Sequence, residues 1–234
     1  MPAVQDTEPH SHYPWKEIPG SSHVLLLEKV LSRGSGLAVL DLGFGAGQFA
    51  RRIRPACRYL AGVELDPGAA AEGAGFFDQP VVGDLVEAIS GPFREPFDVI
   101  VAGDVLEHLP RPEKFLSALR PLLKADGALL VSLPNVANVT VRIGLLFGRF
   151  TYTPRGILDR THVRFFTRET GRTLLEESGY RVVSVDATAM PLELAAPALG
   201  RPPLAGLVRA AALSASRLWP TLFGYQFVYE AQPA

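Results

Sequence analysis

Short apolar runs alternate with segments of helical period along most of the chain. The runs are almost continuously hydrophobic, which is typical of strands buried on both faces of a sheet. They predict strands at residues 37–42, 59–63, 80–82, 97–102, 127–132 and 180–186, with a last strand of alternating character at 224–230. Helices are predicted after Ser21, Gly47 and Pro67 and at residues 113–124 and 168–178. Strands that alternate with helices form a parallel sheet with right-handed crossovers.

Three segments lie outside this pattern. Residues 1–20 carry four prolines among polar residues and predict an extended N-terminal arm. Residues 135–165 have no clean period but many aromatic and basic residues, and we interpret them as a lid. Residues 187–223 are rich in Ala, Leu and Pro and predict an apolar helical insertion, which packs on the sheet, forms a homodimer interface or lines an acceptor pocket. Because no internal repeat and no second core is visible, residues 21–234 are interpreted as one domain.

Composition narrows the function classes. The chain of 234 residues is 47% hydrophobic with a net charge of −1, so a sizeable core is expected and broad, charge-driven binding of nucleic acid is not. The single cysteine, Cys57, excludes an internal disulfide and fits a reducing compartment. The N-terminus shows no secretory signal, and no run reaches the ~20 apolar residues of a membrane span. We therefore expect a cytoplasmic protein without an integral membrane segment.

A glycine-rich turn directly follows the first predicted strand. Gly43, Gly45 and Gly47 have the spacing G-x-G-x-G, whereas dinucleotide sites use G-x-G-x-x-G. Glycine lets a ligand approach the backbone closely and takes a positive φ without penalty. The alternative is that these glycines only make a tight turn from strand to helix. Because ligands of open parallel sheets bind at the carboxyl ends of the strands, we expect a cofactor at this turn.

An acidic residue lies at the end of each of the first three predicted strands. Asp41 suits a cationic amino-acid group better than a phosphate, and Glu64 can accept hydrogen bonds from both hydroxyls of a ribose. Asp84 either recognises an adenine amino group or caps a helix, and Asp66, before Pro67, is expected to be a helix cap. Acids at three strand ends around a glycine turn are a much more specific signal than any one of them.

These motifs resemble those of class I S-adenosylmethionine-dependent methyltransferases. The resemblance covers about residues 35–186 and rests on VLDLGFGAG from Val39, GVELD from Gly62, GDL from Gly83, FDVIVAGDVLEHL from Phe97 and GALLVSLPN from Gly127. Phe44 departs from the small residue that is commoner in the turn. The resemblance implies a Rossmann-like α/β fold, in which a seven-stranded, mostly parallel sheet has an antiparallel last strand and helices on both faces. The segment at 135–165 would be a lid insertion.

The resemblance also implies S-adenosylmethionine as the cofactor. The cofactor-binding candidates are Asp41, Gly43, Gly45 and Gly47 at the methionine part, Glu64 at the ribose, Asp84 and Leu85 at the adenine, Ala102 and Asp104 at the sulfonium, and Leu65, which follows Glu64. An NAD-dependent oxidoreductase is disfavoured by the glycine spacing. A non-catalytic module that retains S-adenosylmethionine is a further alternative.

The segment after the fourth predicted strand carries candidate chemistry for the acceptor. In a helix, Asp104, Glu107 and His108 would lie close to one face. Their spacing resembles the E-x-x-E-H arrangement of ubiquinone-biosynthesis O-methyltransferases and small-RNA 2′-O-methyltransferases, in which such residues bind a divalent ion, but aspartate stands in first place here. We favour a role for His108 near the cofactor or acceptor without a metal, because short motifs often match by chance.

A second histidine, His162, lies in the predicted lid. A histidine with an ordinary pKa near ~6.5 can act as a base near neutral pH. Asp159 is a candidate to orient His162, although a purely structural histidine inside the lid fits the sequence equally well. Since a hydroxyl acceptor must lose a proton, His162 favours methylation of oxygen on a small-molecule or glycan-related acceptor. Methylation of nitrogen is the alternative.

Overall fold

One sheet forms the centre of the molecule, and the computed structural model describes residues 18–190 and 205–234. The strands are β1 (Leu37–Leu42), β2 (Cys57–Glu64), β3 (Gln79–Val82), β4 (Phe97–Gly103), β5 (Leu123–Pro134), β6 (Tyr180–Ala187) and β7 (Gln226–Pro233). They lie in the order β3-β2-β1-β4-β5-β7-β6. The pairs from β3 to β5 are parallel, and β7 runs antiparallel to both of its neighbours. The predicted seven-stranded sheet with an antiparallel last strand is confirmed.

Several helices begin at a side chain that caps their first turn. The helices are α1 (Ser22–Leu31), α2 (Gln48–Ile53), α3 (Pro67–Gly73), α4 (Leu85–Ala88), α5 (Pro112–Leu119), α6 (Val139–Leu146), α7 (Arg168–Glu177), α8 (Ala205–Leu218) and α9 (Pro220–Phe223). The Ser21 hydroxyl accepts from the first turn of α1, and Thr167 forms a capping box at α7. Asp66 accepts the N–H of Ala69 at 2.8 Å, which confirms its predicted role as a cap.

Helices cover both faces of the sheet because successive residues of a strand point to opposite sides. Leu40 of β1 packs in the hydrophobic cluster that also holds Leu116 of α5 and Leu175 of α7. Its neighbour Val39 packs in a second cluster with Leu26 of α1. All six residues of β1 are buried, which is the physical reason for the nearly continuous apolar run in the sequence.

The helix predicted at residues 113–124 is too long. α5 ends at Leu119, a 3₁₀ turn follows at Arg120–Leu122, and β5 begins at Leu123. Pro121 has no backbone N–H and its ring clashes with the preceding turn of an α-helix, so the helix cannot continue through it. The fifth strand therefore begins earlier than the predicted residue 127, and Leu123 pairs with Phe97 of β4.

Two predicted segments fall only partly within the described residues. Residues 1–17 of the predicted arm and residues 191–204 of the predicted apolar insertion lie outside them. The described part of that insertion forms α8 and α9, which lead into β7. Within residues 18–190 and 205–234, none of the helices has both the length and the apolar character needed to cross a bilayer.

Candidate active site

The carboxyl ends of β1 and β4 lie at a switch in the order of the strands. After β1 the chain adds β2 and β3 on one side, and it then places β4 on the other side of β1. Open α/β sheets bind ligands in the crevice at such a switch. The glycine turn leaves β1 at this point, and Asp104 follows directly after β4. The fold thus brings the two main sequence motifs to one edge of the sheet.

The glycines of the turn serve two different purposes. Gly45 and Gly47 have φ values of 53° and 73°, in the region where side chains are disfavoured. A Cβ on Gly45 would meet no atom within 4 Å, so the backbone there is open to a ligand. A Cβ on Gly47 would lie 2.8 Å from the Cα of Gly73, so Gly47 is needed for close packing of the turn on α3. The tight-turn alternative therefore describes Gly47, whereas Gly45 leaves room for a cofactor.

Glu64, at the end of β2, holds the turn from the neighbouring strand. Its Oε2 accepts the N–H of Gly45 at 2.7 Å, and its Oε1 accepts the N–H of Asp66 at 2.9 Å. Each carboxylate oxygen can accept a further hydrogen bond, so both remain able to accept from a ribose. The contact with Gly45 was missed in the sequence because it depends on the pairing of β1 with β2.

The predicted adenine side lies at the ends of β2 and β3. Asp84 is the N-cap of α4, and its Oδ1 accepts the backbone N–H groups of Val86 at 2.8 Å and Glu87 at 3.3 Å. The helix-cap alternative for Asp84 is thus realised. Leu65 is 65% exposed at the end of β2, while Leu85 packs partly against the core. An exposed leucine beside Glu64 offers an apolar surface to a base.

Asp104 is held in an uncommon conformation at the end of β4. In the described part of the chain it is the one non-glycine residue with a positive φ, at 55°. Its Oδ1 accepts hydrogen bonds from Ser132 Oγ at 2.6 Å and Gln226 Nε2 at 2.7 Å. Such strained backbone persists where the surroundings over-determine it, often at functional sites. Ala102, in β4 just before Asp104, is fully buried and exposes no surface of its own.

Ser132 and Gln226 were missed in the sequence. They stand in β5 and β7, far from Asp104 along the chain. No local pattern marks them, because only the strand order β4-β5-β7 brings them to Asp104. Their hydrogen bonds fix the direction of the Asp104 carboxylate.

The α-helix that would bring Asp104, Glu107 and His108 to one face does not form. The segment forms only a 3₁₀ turn at Leu106–His108, and Asp104 lies outside it. His162 takes the third place instead: ligand atoms of Glu107, His108 and His162 all lie within 4.8 Å of one another. We refer to these three residues as the histidine cluster.

Backbone hydrogen bonds explain how His162 reaches this position. The carbonyl oxygen of Glu107 accepts the N–H groups of Val163 at 2.9 Å and Arg164 at 3.1 Å. The segment between β5 and α7 is thereby attached to the turn after β4. The Nε2 atom of His162 lies 4.0 Å from Oε1 of Glu107, and the rings of His162 and His108 meet edge to face with centroids 4.9 Å apart.

In both histidines of the cluster, Nδ1 faces a backbone carbonyl oxygen and Nε2 is left with its lone pair. Nδ1 of His162 lies 3.1 Å from the carbonyl oxygen of Ile157, and Nδ1 of His108 lies 3.2 Å from that of Thr161. A carbonyl oxygen only accepts, so each neutral ring carries its proton on Nδ1 and a lone pair on Nε2. The ring of His162 is held by Ile157 and not by the candidate Asp159, whose Oδ1 accepts from the backbone N–H and hydroxyl of Thr161.

The electrostatics of the cluster favour neutral side chains. Burial lowers the pKa of His162, so its free Nε2 can accept a proton or bind a cation at neutral pH. Burial, with a contribution from the Asp104 carboxylate, raises the pKa of Glu107 well above its ordinary value. Neither carboxyl oxygen of Glu107 has a hydrogen-bond partner among the described residues. A buried acid without a partner is unfavourable unless a proton or a cation neutralises it.

Comparison with known proteins identifies the family. A family model described as a methyltransferase domain matches residues 22–185, which is most of the chain and includes the glycine turn and the histidine cluster. The chain belongs to this family. The match confirms the class I S-adenosylmethionine-dependent methyltransferase expected from the motifs, with S-adenosylmethionine as the cofactor.

Similar proteins have been characterised by sequence and by structure. The mitochondrial ubiquinone biosynthesis O-methyltransferase of Homo sapiens is 26% identical over 160 residues, which cover 64% of this chain and 43% of the relative. The corresponding enzyme of Actinobacillus pleuropneumoniae is 29% identical over 123 residues, covering 47% of this chain and 53% of the relative. The methyltransferase thus spans about half the length of these relatives. A SAM-dependent methyltransferase from Archaeoglobus fulgidus shares the fold, with a TM-score of 0.63 at 21% identity and coverage of 91% and 95%.

Asp41 places a buried carboxyl next to the glycine turn of the methyltransferase. The carboxyl is buried at the end of β1, and its Oδ2 has no hydrogen-bond partner among the described residues. Burial, followed by the charge of Glu64, raises the pKa of Asp41 to about 7. A cationic group beside it would stabilise the ionised form.

We expect the stability of the free methyltransferase to depend on Asp41. Because its folded pKa of about 7 lies above the ordinary value of 3.8, the folded protein keeps a proton that the unfolded chain loses. This contribution is present below pH ~4 and lost as the pH rises through ~7, by about 4 kcal/mol at most. The free energy of unfolding is measured in urea at several pH values for wild type and Asp41→Asn. Between pH ~4 and ~7 it should fall in wild type relative to the variant. Parallel pH profiles of the two proteins would contradict the burial of an ionisable Asp41.

Proposed function

We propose that this protein transfers a methyl group from S-adenosylmethionine to a hydroxyl of a small-molecule or glycan-related acceptor. The observation that carries the proposal is the histidine cluster beside the carboxyl end of β4. Glu107 is buried there, and the lone pair on Nε2 of His162 faces it at 4.0 Å. A hydroxyl is a weak nucleophile until its proton is removed, and this cluster provides a group that can take the proton.

The cofactor side of the proposal rests on the strand ends. S-adenosylmethionine brings a methyl group that is already activated by a sulfonium, so the protein has mainly to align the acceptor. The residues proposed to bind it are Asp41, Gly43 and Gly45 at the amino-acid end, Glu64 at the ribose, Leu65, Asp84 and Leu85 at the adenine, and Asp104, next to the buried Ala102, near the sulfonium. Gly47 contributes indirectly, because its close packing on Gly73 holds the glycine turn against α3.

His162 is the proposed base, with His108 beside it. The acceptor oxygen forms a bond to the methyl carbon while the carbon–sulfur bond breaks and its electron pair stays on sulfur. The hydroxyl proton moves to Nε2 of His162, which is free because Nδ1 donates to the Ile157 carbonyl. That carbonyl also fixes the ring, so the base points in one direction. His108 is exposed and reaches the cluster from the solvent side.

A divalent ion is the second candidate for activating the acceptor. The observation that favours it is the Glu107 carboxyl, which is buried without a hydrogen-bond partner among the described residues and close to two histidine nitrogens. One carboxylate and two imidazoles suit Zn²⁺, Mn²⁺ or Fe²⁺ better than Mg²⁺. Both histidines donate from Nδ1 to backbone carbonyls, which is the support that metal-bound imidazoles usually have. Such an ion would lower the pKa of a bound hydroxyl.

Other features support oxygen as the acceptor atom. The relatives described above are named O-methyltransferases. An amine acceptor near neutral pH also needs deprotonation, so methylation of nitrogen remains the alternative chemistry. A non-catalytic cofactor-binding module would have no use for the buried acid and the aligned histidines.

A screen of acceptors tests the proposal directly. The purified protein is incubated with S-adenosylmethionine and panels of phenols, sugars, nucleotide-sugars and amines, each with and without a chelator, and S-adenosylhomocysteine release is measured. We expect release with a hydroxyl panel because His162 can take the proton there. Undiminished turnover with the chelator favours His162 as the base, and loss that Zn²⁺ or Mn²⁺ restores favours the ion.

The controls of the screen separate its outcomes. A Glu64→Ala protein should bind the cofactor poorly. Any S-adenosylhomocysteine that it still releases is background that does not depend on this site. Release only with amines would replace oxygen by nitrogen in the proposal. Tight binding of S-adenosylhomocysteine with no turnover in any panel would favour the non-catalytic module.

A further inference from the structure

Large apolar side chains are exposed mainly on two segments next to the active site. Among the described residues, seven such side chains lie at residues 143–163 and four at 207–223, against five in the rest of the described chain. The most exposed are Leu146 at 80% and Phe147 at 71% at the end of α6, and Leu207 at 71% and Leu218 at 87% in α8. A soluble domain rarely leaves so many large apolar groups together in water unless they contact a partner.

The two segments are attached to each other. The side-chain amide of Asn135 donates to the carbonyl oxygens of Thr221 at 3.3 Å and Gly224 at 2.8 Å, and that of Asn138 donates to Gly224 at 2.9 Å. Asn138 is the N-cap of α6, and Gly224 directly follows α9. The start of α6 and the end of α9 are therefore fixed side by side. We call residues 142–164 together with residues 207–223 the apolar–arginine face.

Among the described residues, this face carries more arginines than acidic side chains. The exposed arginines of the first segment are Arg142, Arg149, Arg155, Arg160 and Arg164. Between residues 135 and 167 the one acidic residue is Asp159, and it is buried. Residues 205–223 carry Arg209 and Arg217 and no acidic residue. Since the whole chain is nearly neutral, this local excess of arginine is specific to the face.

The combination of exposed apolar side chains and arginines indicates which kind of partner binds this face. A second copy of the chain would bring the arginines of two faces together, which is unfavourable. Nucleic acid would bind the arginines but gains nothing from exposed leucines, since its contacts need stacking or hydrogen bonds. The surface of an anionic bilayer satisfies both parts: lipid phosphates pair with arginine, and leucine, phenylalanine and tryptophan enter the boundary between headgroups and acyl chains.

We propose that the apolar–arginine face binds the surface of membranes that contain anionic lipids. The side chains that enter the bilayer are Leu145, Leu146, Phe147, Leu218, Trp219 and Phe223. The protein lies on the membrane without spanning it, with the arginines at the level of the phosphates. Phe165 connects this face to the active site, with its ring centroid 5.6 Å from Phe150 and 6.4 Å from His162. The proposal does not depend on the identity of the methyl acceptor.

Sedimentation with lipid vesicles tests the proposal on the full chain. We expect binding to vesicles of phosphatidylcholine mixed with phosphatidylglycerol, weaker binding at high salt, and little binding to phosphatidylcholine alone. The double variant Leu146→Glu with Phe147→Glu should bind at least about tenfold more weakly. Val183→Glu, at an exposed apolar residue of β6, is the control and should bind like wild type.

The electrostatic part has its own matched pair of variants. Arg149→Gln with Arg160→Gln should weaken binding about fivefold for each arginine removed. Arg51→Gln with Arg181→Gln makes the same change of net charge at exposed residues elsewhere and should have little effect. Every variant is first checked for an unchanged thermal unfolding midpoint and affinity for S-adenosylhomocysteine, which are independent of lipid.

Specific results would overturn the proposal. Absence of binding to anionic vesicles by wild type would do so, as would equal binding by the Leu146→Glu, Phe147→Glu variant and the Val183→Glu control. Binding to a single-stranded oligonucleotide but not to vesicles would assign the face to nucleic acid. A dimer in solution that the Leu146→Glu, Phe147→Glu variant converts to a monomer, without vesicle binding, would assign the face to a second copy.

Discussion

Replacing His162 with alanine should lower kcat by about 10²- to 10⁴-fold while the affinity for S-adenosylhomocysteine stays unchanged. This is the range that a positioned general base contributes. The expected effect is large because the ring is held by the Ile157 carbonyl and leaves Nε2 free beside Glu107. The split between rate and affinity is expected because the proposed function assigns His162 to the acceptor and assigns Glu64 and the glycine turn to the cofactor.

The measurement uses an acceptor found by the screen and calorimetry with S-adenosylhomocysteine. His162→Gln keeps a polar side chain that cannot take a proton, so it should be nearly as inactive as His162→Ala. The control is His23→Ala, which removes the histidine of α1 outside the cluster. If His162→Ala turned over normally with an intact affinity, His162 would be a structural residue of its segment and the base would have to be sought elsewhere.

The second large effect is expected on cofactor affinity when Glu64 is replaced. Glu64→Ala should weaken binding of S-adenosylhomocysteine about 10- to 100-fold, because a hydrogen bond to a charged group contributes about 1.5–3 kcal/mol and this carboxylate is placed to accept from the ribose. Part of the loss comes from the turn, since Glu64 also accepts the N–H of Gly45 at 2.7 Å. Glu64→Gln retains one accepting oxygen, so its loss should be smaller.

A double-mutant cycle separates the ribose from the turn. Wild type and Glu64→Ala are titrated with S-adenosylhomocysteine and with its 2′-deoxy analogue. If Glu64 binds the ribose, the preference for the hydroxyl disappears in the variant, whereas a purely structural role leaves that preference unchanged. Glu72→Ala, which removes an exposed carboxylate from the nearby α3, is the matched control. An unchanged affinity of Glu64→Ala would remove Glu64 from the cofactor site.

The local parts of the fold were predictable because their causes lie within a few residues. β1 is apolar throughout since both of its faces are covered, and the cap of α3 at Asp66 follows from its place before Pro67. The G-x-G-x-G spacing, together with the acids at the first three strand ends, distinguished the methyl-donor family from dinucleotide-binding proteins. Where a local signal was passed over, as at Pro121, the predicted helix continued too far.

The active site was predictable only in part. The sequence by itself determined the fold class and the identity of the cofactor, and it offered His108 and His162 as candidates. Only the tertiary structure showed that the Asp104 carboxylate accepts hydrogen bonds from Ser132 and Gln226. It also showed that His162, and not Asp104, lies beside Glu107 and His108. These contacts depend on the order of β4, β5 and β7 and on backbone bonds between distant segments. Periodicity and spacing describe only residues that are close together along the chain, so they carry no information about contacts between distant segments.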